Sequence, residues 1–328
     1  MTEKIYYNPD IYKIYVPLPN NPLKNLNCYI VKTPEKNLII DTGFNIKECY
    51  EALMSGIKEL NIDMANTEMF LTHLHSDHVG LAGSIMPKDG KIYMSKADYD
   101  YFVNTIKGDD WDIIENIFVS EGFPKDSITV LRETNPARAY APDESFNAIT
   151  VEDGEKICVG EYELTCVFTP GHTPGHMCLY LEKEKLMFLG DHVLFDITPN
   201  ITFWNYVDNS LLNYMKSLEK IKTFSIDTAL PAHRKNDMDF YVRVEEILKH
   251  HQIRLDECLR IVTENPGLHA YDIGGKMQWS MRGRNWAEFP MHQKWFAVGE
   301  TIAHLDYLRA ENKIYKEEKS GINLYYPK

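Results

Sequence analysis

Hydrophobic and polar residues along the first part of the chain fall into short runs. Residues 11–16 alternate apolar side chains with Tyr12 and Lys13, and residues 27–31 and 38–40 are apolar and β-branched. A Thr-Pro-Glu-Lys-Asn turn separates the last two, so three strands are predicted, the third ending in Asp41-Thr42-Gly43. Residues 45–60 change period: Ile46, Tyr50, Leu53, Ile57 and Leu60 share one helical face. A short strand over 69–72 then runs into a histidine-rich turn. Residues 96–121, rich in Tyr, Phe, Trp and Ile, predict one or two helices, and 124–147, with Pro124, Pro136 and Pro142, reads as irregular. Strands return at 163–168, 177–181 and 186–189, and a helix at 210–222 precedes a strand at 228–230. This order fits two sheets covered on their outer faces by helices.

The texture changes after His233. A long helical pattern over 238–263 closes at Asn265-Pro266-Gly267. A short helix at 270–277 follows, then a loop with Trp279 and Trp286, a helix at 290–310, and a hairpin of 314–316 and 322–326 turning at Gly321. Helix, helix, helix, hairpin is a winged-helix-like order, which predicts a large first domain over 1–240 and a small helical domain over 241–328.

Composition adds limits. The 328 residues are 44% hydrophobic and 25% charged, enough to bury a sizeable core without disulfides or structural metals. The net charge of −13 opposes bulk binding of nucleic acid or anionic lipid. From 241 onward 13 basic residues face 12 acidic ones, whereas the remainder carries 22 against 36. None of the six cysteines forms a Cys-x-x-Cys pair. No signal-peptide core opens the chain and no run approaches the roughly 20 apolar residues needed to cross a bilayer. A reducing, cytoplasmic location and no membrane partner are expected.

The chemistry concentrates at 72–81, Thr-His-Leu-His-Ser-Asp-His-Val-Gly-Leu. Three of the chain's 12 histidines and an aspartate fall within six residues, directly after an apolar strand. His73 and His75 can converge on one metal, with Asp77 and His78 aimed at a neighbouring position. Imidazole and carboxylate donors suit zinc, iron or manganese. Three later positions repeat the pattern of a strand followed by a ligand: His172 in Thr-Pro-Gly-His, Asp191 in Leu-Gly-Asp-His and His233 in Leu-Pro-Ala-His. Loops beyond the carboxyl ends of strands place such side chains on a rigid scaffold.

With these residues the chain resembles the metallo-β-lactamase superfamily over roughly 10–260. The resemblance implies an αββα sandwich with metals at one edge. It assigns His73, His75 and His172 to a first ion, Asp77, His78 and His233 to a second, and Asp191 to a bridge between them. Asp41 is implied as an outer residue that orients ligands. Two divalent ions are expected, with zinc first and iron or manganese as alternatives. Asp191 stands where many true β-lactamases carry cysteine, which is more like hydroxyacylglutathione hydrolases, lactonases and phosphodiesterases. His75 stands where flavodiiron oxidoreductases carry glutamate, which favours hydrolysis.

In that setting two ions about 3.5–4 Å apart share a hydroxide that attacks a carbonyl or phosphoryl centre. Asp77 and Asp191 are the expected catalytic carboxylates, accepting the proton. No Gly-x-Ser-x-Gly motif offers a serine nucleophile, and His192 is a candidate donor to a leaving group. A small ester or thioester is the expected substrate. A phosphodiesterase or single-strand endoribonuclease is the enzyme alternative, and a mononuclear iron persulfide dioxygenase a third reading. A degenerate, non-catalytic site is disfavoured because all seven ligand positions are filled. The aromatic stretch 96–121 reads equally as a lid or as an outer helix pair. Arg282 and Arg284 beside Trp279 and Trp286 could stack on bases. Lys313, Lys316 and Lys319 of the hairpin, however, are offset by Glu311, Glu317 and Glu318. A pocket wall or dimer contact is therefore preferred to RNA binding, and a homodimer follows from family analogy alone.

Overall fold

A computed structural model describes residues 2–107, 110–142, 146–280 and 285–328. Arg282 and Arg284 lie outside the described residues. The first sheet has seven strands in chain order: β1 (Thr2–Tyr6), β2 (Asp10–Pro17), β3 (Asn25–Lys32), β4 (Asn37–Ile40), β5 (Thr67–Phe70), β6 (Ile92–Ser95) and β7 (Ala148–Val151). The second is built from β8 (Lys156–Val159), β9 (Tyr162–Phe168), β10 (Met177–Leu181), β11 (Leu186–Gly190) and β12 (Thr228–Pro231), in the order β12-β11-β10-β9-β8. β1 to β4 pair antiparallel and β4 to β7 parallel. In the second sheet β11 and β12 are parallel, and β9 shares their direction because both β9 and β11 run antiparallel to β10.

The facing sides of the sheets close on one apolar layer. Ile11, Val31, Leu38, Ile40 and Phe70 of the first sheet meet Leu164, Leu179, Leu181 and Phe188 of the second. All are below one tenth exposed, and their burial is the main driving force of the sandwich. On the outer side of the first sheet lies α1 (Lys47–Glu59), packed through Cys49, Leu53 and Ile57. Short helices α2 (Ser76–Val79) and α3 (Ala82–Ile85) follow β5. The aromatic stretch forms two helices, α4 (Lys96–Lys107) and α5 (Asp110–Ser120).

Residues 124–147 differ from the irregular run expected. They hold α6 (Lys125–Thr134) and α7 (Pro136–Ala139). Pro124 sits at the N-cap of the first and Pro136 at the opening position of the second. There a missing N–H costs nothing and the ring presets the helical φ, so these prolines begin helices instead of breaking them.

Beyond the sheets, α8 (Ser210–Ile221), α9 (Phe240–Glu264), α10 (Ala270–Lys276) and α11 (Met291–Ala310) precede the hairpin β13 (Ile314–Lys319) and β14 (Ile322–Pro327). The C-terminal elements share a core with the second sheet: Val244, Ile247, Val298 and Ile302 cluster with Val167, Met187 and Leu189. Tyr325 of β14 is fully buried and its hydroxyl bonds both oxygens of Glu121, at the end of α5, at 3.0 Å. No helix among the described residues is long and apolar enough to cross a membrane.

Candidate metal centre

Five strand ends supply the site. β4 ends at Ile40, and Asp41 follows with its N–H donating to the Phe70 carbonyl of β5 at 3.0 Å. Because β4 and β5 are parallel, their carboxyl ends lie side by side, and the loop after β5 delivers His73, His75, Asp77 and His78 next to Asp41. The loops after β9, β11 and β12 bring His172, Asp191 and His233. All seven expected ligands converge. His73, His75 and His172 form one group, His73, His78 and Asp191 a second, and Asp77, His78 and His233 a third, with donor atoms within 4.8 Å of one another in each.

Asp191 stands between the two ends of the site. Its Oδ2 is 3.6 Å from His172 Nε2, while its Oδ1 is 3.2 Å from His233 Nε2 and 3.7 Å from His78 Nε2. Asp77 Oδ2 lies 3.3 Å from His233 Nε2 and 3.8 Å from His78 Nε2. His73 Nε2 and His75 Nδ1 are 3.0 Å apart.

The opposite ring nitrogens are anchored. His78 Nδ1 bonds Asp41 Oδ2 at 2.8 Å, His172 Nδ1 the Asn200 carbonyl at 3.0 Å and His233 Nδ1 the Asn25 carbonyl at 2.8 Å. An acceptor on Nδ1 holds the proton there and leaves the Nε2 lone pair facing inward, as metal ligands require. Asp41 also accepts from the Thr72 N–H at 2.9 Å and its hydroxyl at 2.8 Å, so the residue expected to orient ligands does touch one of them.

Five inward atoms are buried and have no hydrogen-bond partner: Asp77 Oδ2, His78 Nε2, His172 Nε2, Asp191 Oδ1 and His233 Nε2. Leaving one such atom unsatisfied costs about 1–3 kcal/mol, so a cluster of five demands a common partner. A cation meets that demand, since each of the five atoms can offer it a lone pair. The residues present therefore fit the metal that such a donor set implies.

Electrostatics divides the site. Burial, reinforced by neighbouring imidazoles, holds His73 well below the usual histidine range and His75 down to about 3; burial also lowers His172, against the pull of Asp191. Burial acts the same way on His78 and His233, but there carboxylates outweigh it. Asp41, Asp77 and Asp191 raise His78, and Asp191 and Asp77 raise His233 strongly. In return, and against burial, His78 and His233 bring Asp77 down to about 2, and Asp191 is held lower still by His233 and His78.

Several supporting residues went unassigned in the sequence. His176, from the second Thr-Pro-Gly-His, accepts the Asp191 N–H on Nε2 at 3.1 Å and meets the Thr169 hydroxyl through Nδ1 at 2.9 Å. Gly190 is needed beside it: its φ is +52° and a Cβ there would come within 2.5 Å of His176 Nε2. Asp98, at the start of α4, is fully buried and ties two ligand loops together. It accepts the Leu74 N–H at 3.0 Å, the Thr173 hydroxyl at 2.6 Å and the Gly175 N–H at 2.5 Å. Burial pushes this carboxyl up to about 7, against the three hydrogen bonds. Trp204 donates to the His172 carbonyl at 3.0 Å, and its ring lies 5.8 Å from that of His75. His192 is buried against Tyr214 and His176 and belongs to none of the three donor groups.

Known proteins place this arrangement. Residues 22–233 match the family model of the metallo-beta-lactamase superfamily, and residues 286–327 match that of a metallo-beta-lactamase-like C-terminal domain. A beta-lactamase-like protein 2 homolog of Caenorhabditis elegans is 27% identical over 279 residues, covering 81% of this chain and 77% of that protein. An atrochrysone carboxyl ACP thioesterase of Emericella nidulans is 28% identical, covering 66% and 53%. The lactamase-like protein adaB of Aspergillus niger is 26% identical, covering 77% and 64%, so the chain spans just over half to under two thirds of these fungal relatives. A metallo-beta-lactamase family protein of Thermus thermophilus superposes with a TM-score of 0.80 at 26% identity, covering 97% of this chain and 98% of that one. The chain belongs to the metallo-beta-lactamase superfamily. That membership, with relatives named as thioesterases, supports a metal-dependent hydrolase of mixed α/β sandwich fold.

Proposed function

We propose that the protein hydrolyses a small ester or thioester at a two-ion centre, zinc being the first choice of metal. The observation that carries this reading is the position of Asp191, whose two oxygens face two separate donor groups. His73, His75 and His172 would hold one ion, Asp77, His78 and His233 the other, and Asp191 both. Bound divalent ions supply Lewis-acid polarisation of the substrate oxygen and acidify water.

The chain's own residues do the rest. Asp77, brought down to about 2, and Asp191, lower still, are ionised at neutral pH and can accept a proton from an attacking water. Asp41, His176, Asp98 and Asn200 fix the orientation of the ligand side chains and loops. Trp204, beside His75, offers an apolar wall for an acyl group. The elements from 241 onward back the loop that carries Asn200 and Trp204, because Glu300 of α11 accepts from Asn200 Nδ2 at 3.0 Å. A thioester fits because a thiolate leaves without acid assistance, and fungal relatives are named as carrier-protein thioesterases. Cysteine attack is the weaker route: burial pushes the thiols of Cys49, Cys166, Cys178 and Cys258 up to about 12.

The test is thiol release from a thioester panel by zinc-loaded protein, with Asp191→Asn as control. Turnover that disappears in the variant supports the reading. A protein shown to hold its ions yet inert on every thioester refutes it and moves the assignment to phosphodiesters and single-stranded RNA.

A further inference from the structure

The loop between β2 and β3 is stitched to the segment that carries the last histidine. Asn27 donates its backbone N–H to the Ala232 carbonyl at 2.6 Å and its side-chain amide to the carbonyls of Pro231 and Arg234 at 3.0 and 2.9 Å. Arg234 returns a bond from Nη2 to the Pro22 carbonyl at 2.8 Å. Between the two segments lies an open cavity of about 420 Å³, lined by Asn20, Asn21, Pro22, Lys24 and Arg234. Lys24 precedes Asn25, whose carbonyl holds His233, and Arg234 follows His233 directly. The two cations are thus the chain neighbours of Asn25 and His233, which that hydrogen bond joins.

Two cations face this cavity. In a chain of net charge −13, neither Lys24 nor Arg234 forms an ion pair with a carboxylate among the described residues. Arg234 Nε is buried with no hydrogen-bond partner. Of the two acidic residues in the following turn, Asp237 forms no ion pair with Arg234 among the described residues, and Asp239 is occupied in capping α9 through the Val242 N–H at 2.9 Å. The backbone is also held in the left-handed region at three of the lining positions, with φ of +58° at Asn20, +72° at Lys24 and +60° at Arg234. Non-glycine residues take this conformation at a cost, and such outliers gather where function needs them.

We infer that Lys24 and Arg234 form an anion subsite that receives a carboxylate or phosphate of the substrate, remote from the bond that is cleaved. This rests on the hydrolase reading above and narrows it to an anionic ester or thioester. Asn20 and Asn21 add amide groups to the same wall. An anion placed there would meet the Lys24 and Arg234 charges and orient the scissile carbonyl toward the donor groups.

Three thioesters separate the sources of charge: S-butyryl pantetheine, S-butyryl pantetheine 4′-phosphate and S-succinyl pantetheine. The first is neutral, the second carries charge on the leaving thiol and the third on the acyl group. One charged substrate is expected to exceed the neutral one about tenfold in kcat/KM, the size of a charge-assisted hydrogen bond discounted for exposure. That ratio should fall to near one in Lys24→Gln/Arg234→Gln and shrink with added salt. A wild-type ratio of one, or a ratio unchanged in the double variant, overturns the subsite while leaving the hydrolase reading intact. Should no thioester turn over, calorimetric titration with pantetheine, pantetheine 4′-phosphate and succinate decides. Tighter binding of an anionic probe, about tenfold weaker in the double variant, sustains the subsite. Indifference to both the charge and the variant refutes it.

Discussion

Asn27 is the clamp whose removal tests the geometry of the site most sharply. It sits on β3 at 2% exposure, and its side-chain amide reaches two carbonyls of the segment that presents His233. In Asn27→Ala, the Pro231 carbonyl keeps a partner in the Tyr29 hydroxyl at 2.7 Å, whereas the Arg234 carbonyl has no second side-chain donor among the described residues. Two neutral hydrogen bonds are lost, each about 1 kcal/mol, and the Arg234 carbonyl is only partly buried, which keeps its share of the penalty at the low end. The amide removed leaves a void that the packed strands fill poorly. A loss of about 2–4 kcal/mol follows, readable as a lower urea midpoint with unchanged slope. The same change frees the 231–234 segment, so the ion held by His233 should bind about 10–100-fold more weakly in a chelator competition. The ion held by His73, His75 and His172 should be little affected. A variant within about 0.5 kcal/mol of wild type and with both affinities unchanged would refute the claim that this clamp positions His233.

Two further predictions concern protons. Acid should empty the site in order: His78 and His233 are raised by their carboxylates and bind protons first, while His73, His75 and His172 are lowered, so the Asp77–His78–His233 ion leaves at higher pH. A metal-release titration showing simultaneous loss, or the reverse order, contradicts this. Glu121 is buried under β14, and burial raises its carboxyl above the ordinary value in spite of Lys316 and its hydrogen bonds. A carboxyl whose pKa is raised on folding contributes stability below its unfolded value that is lost as pH climbs through the folded one. Glu121→Gln should therefore gain on wild type as pH rises, and denaturation curves with a pH-independent difference would disprove it.

How much could be read in advance differed by kind of residue. Each ligand follows an apolar strand, so His73 to His78, His172, Asp191 and His233 were legible as a repeated local pattern, and the described site brings all seven together. β1 escaped notice because its side chains are only half-buried and give no clear alternation. β7 and β8 are four residues each and carry exposed polar positions, whereas β4 and β5, equally short, are buried throughout and end in apolar residues. Asp98 and Asn27 look like any polar residue of a helix start or a strand. Their roles depend on partners 77 and 207 positions away, which no local pattern encodes. Pro124 and Pro136 were misleading because proline marks both the end of one element and the first turn of the next.

The central claim is a two-ion centre bridged by Asp191, and metal stoichiometry tests it most directly. Zinc-loaded wild-type protein, freed of loose metal, should carry two ions per chain by elemental analysis. His75→Ala and His233→Ala should each retain close to one, and Asp191→Asn should weaken both. One ion per chain in the wild type, or two retained in either histidine variant, would contradict the account.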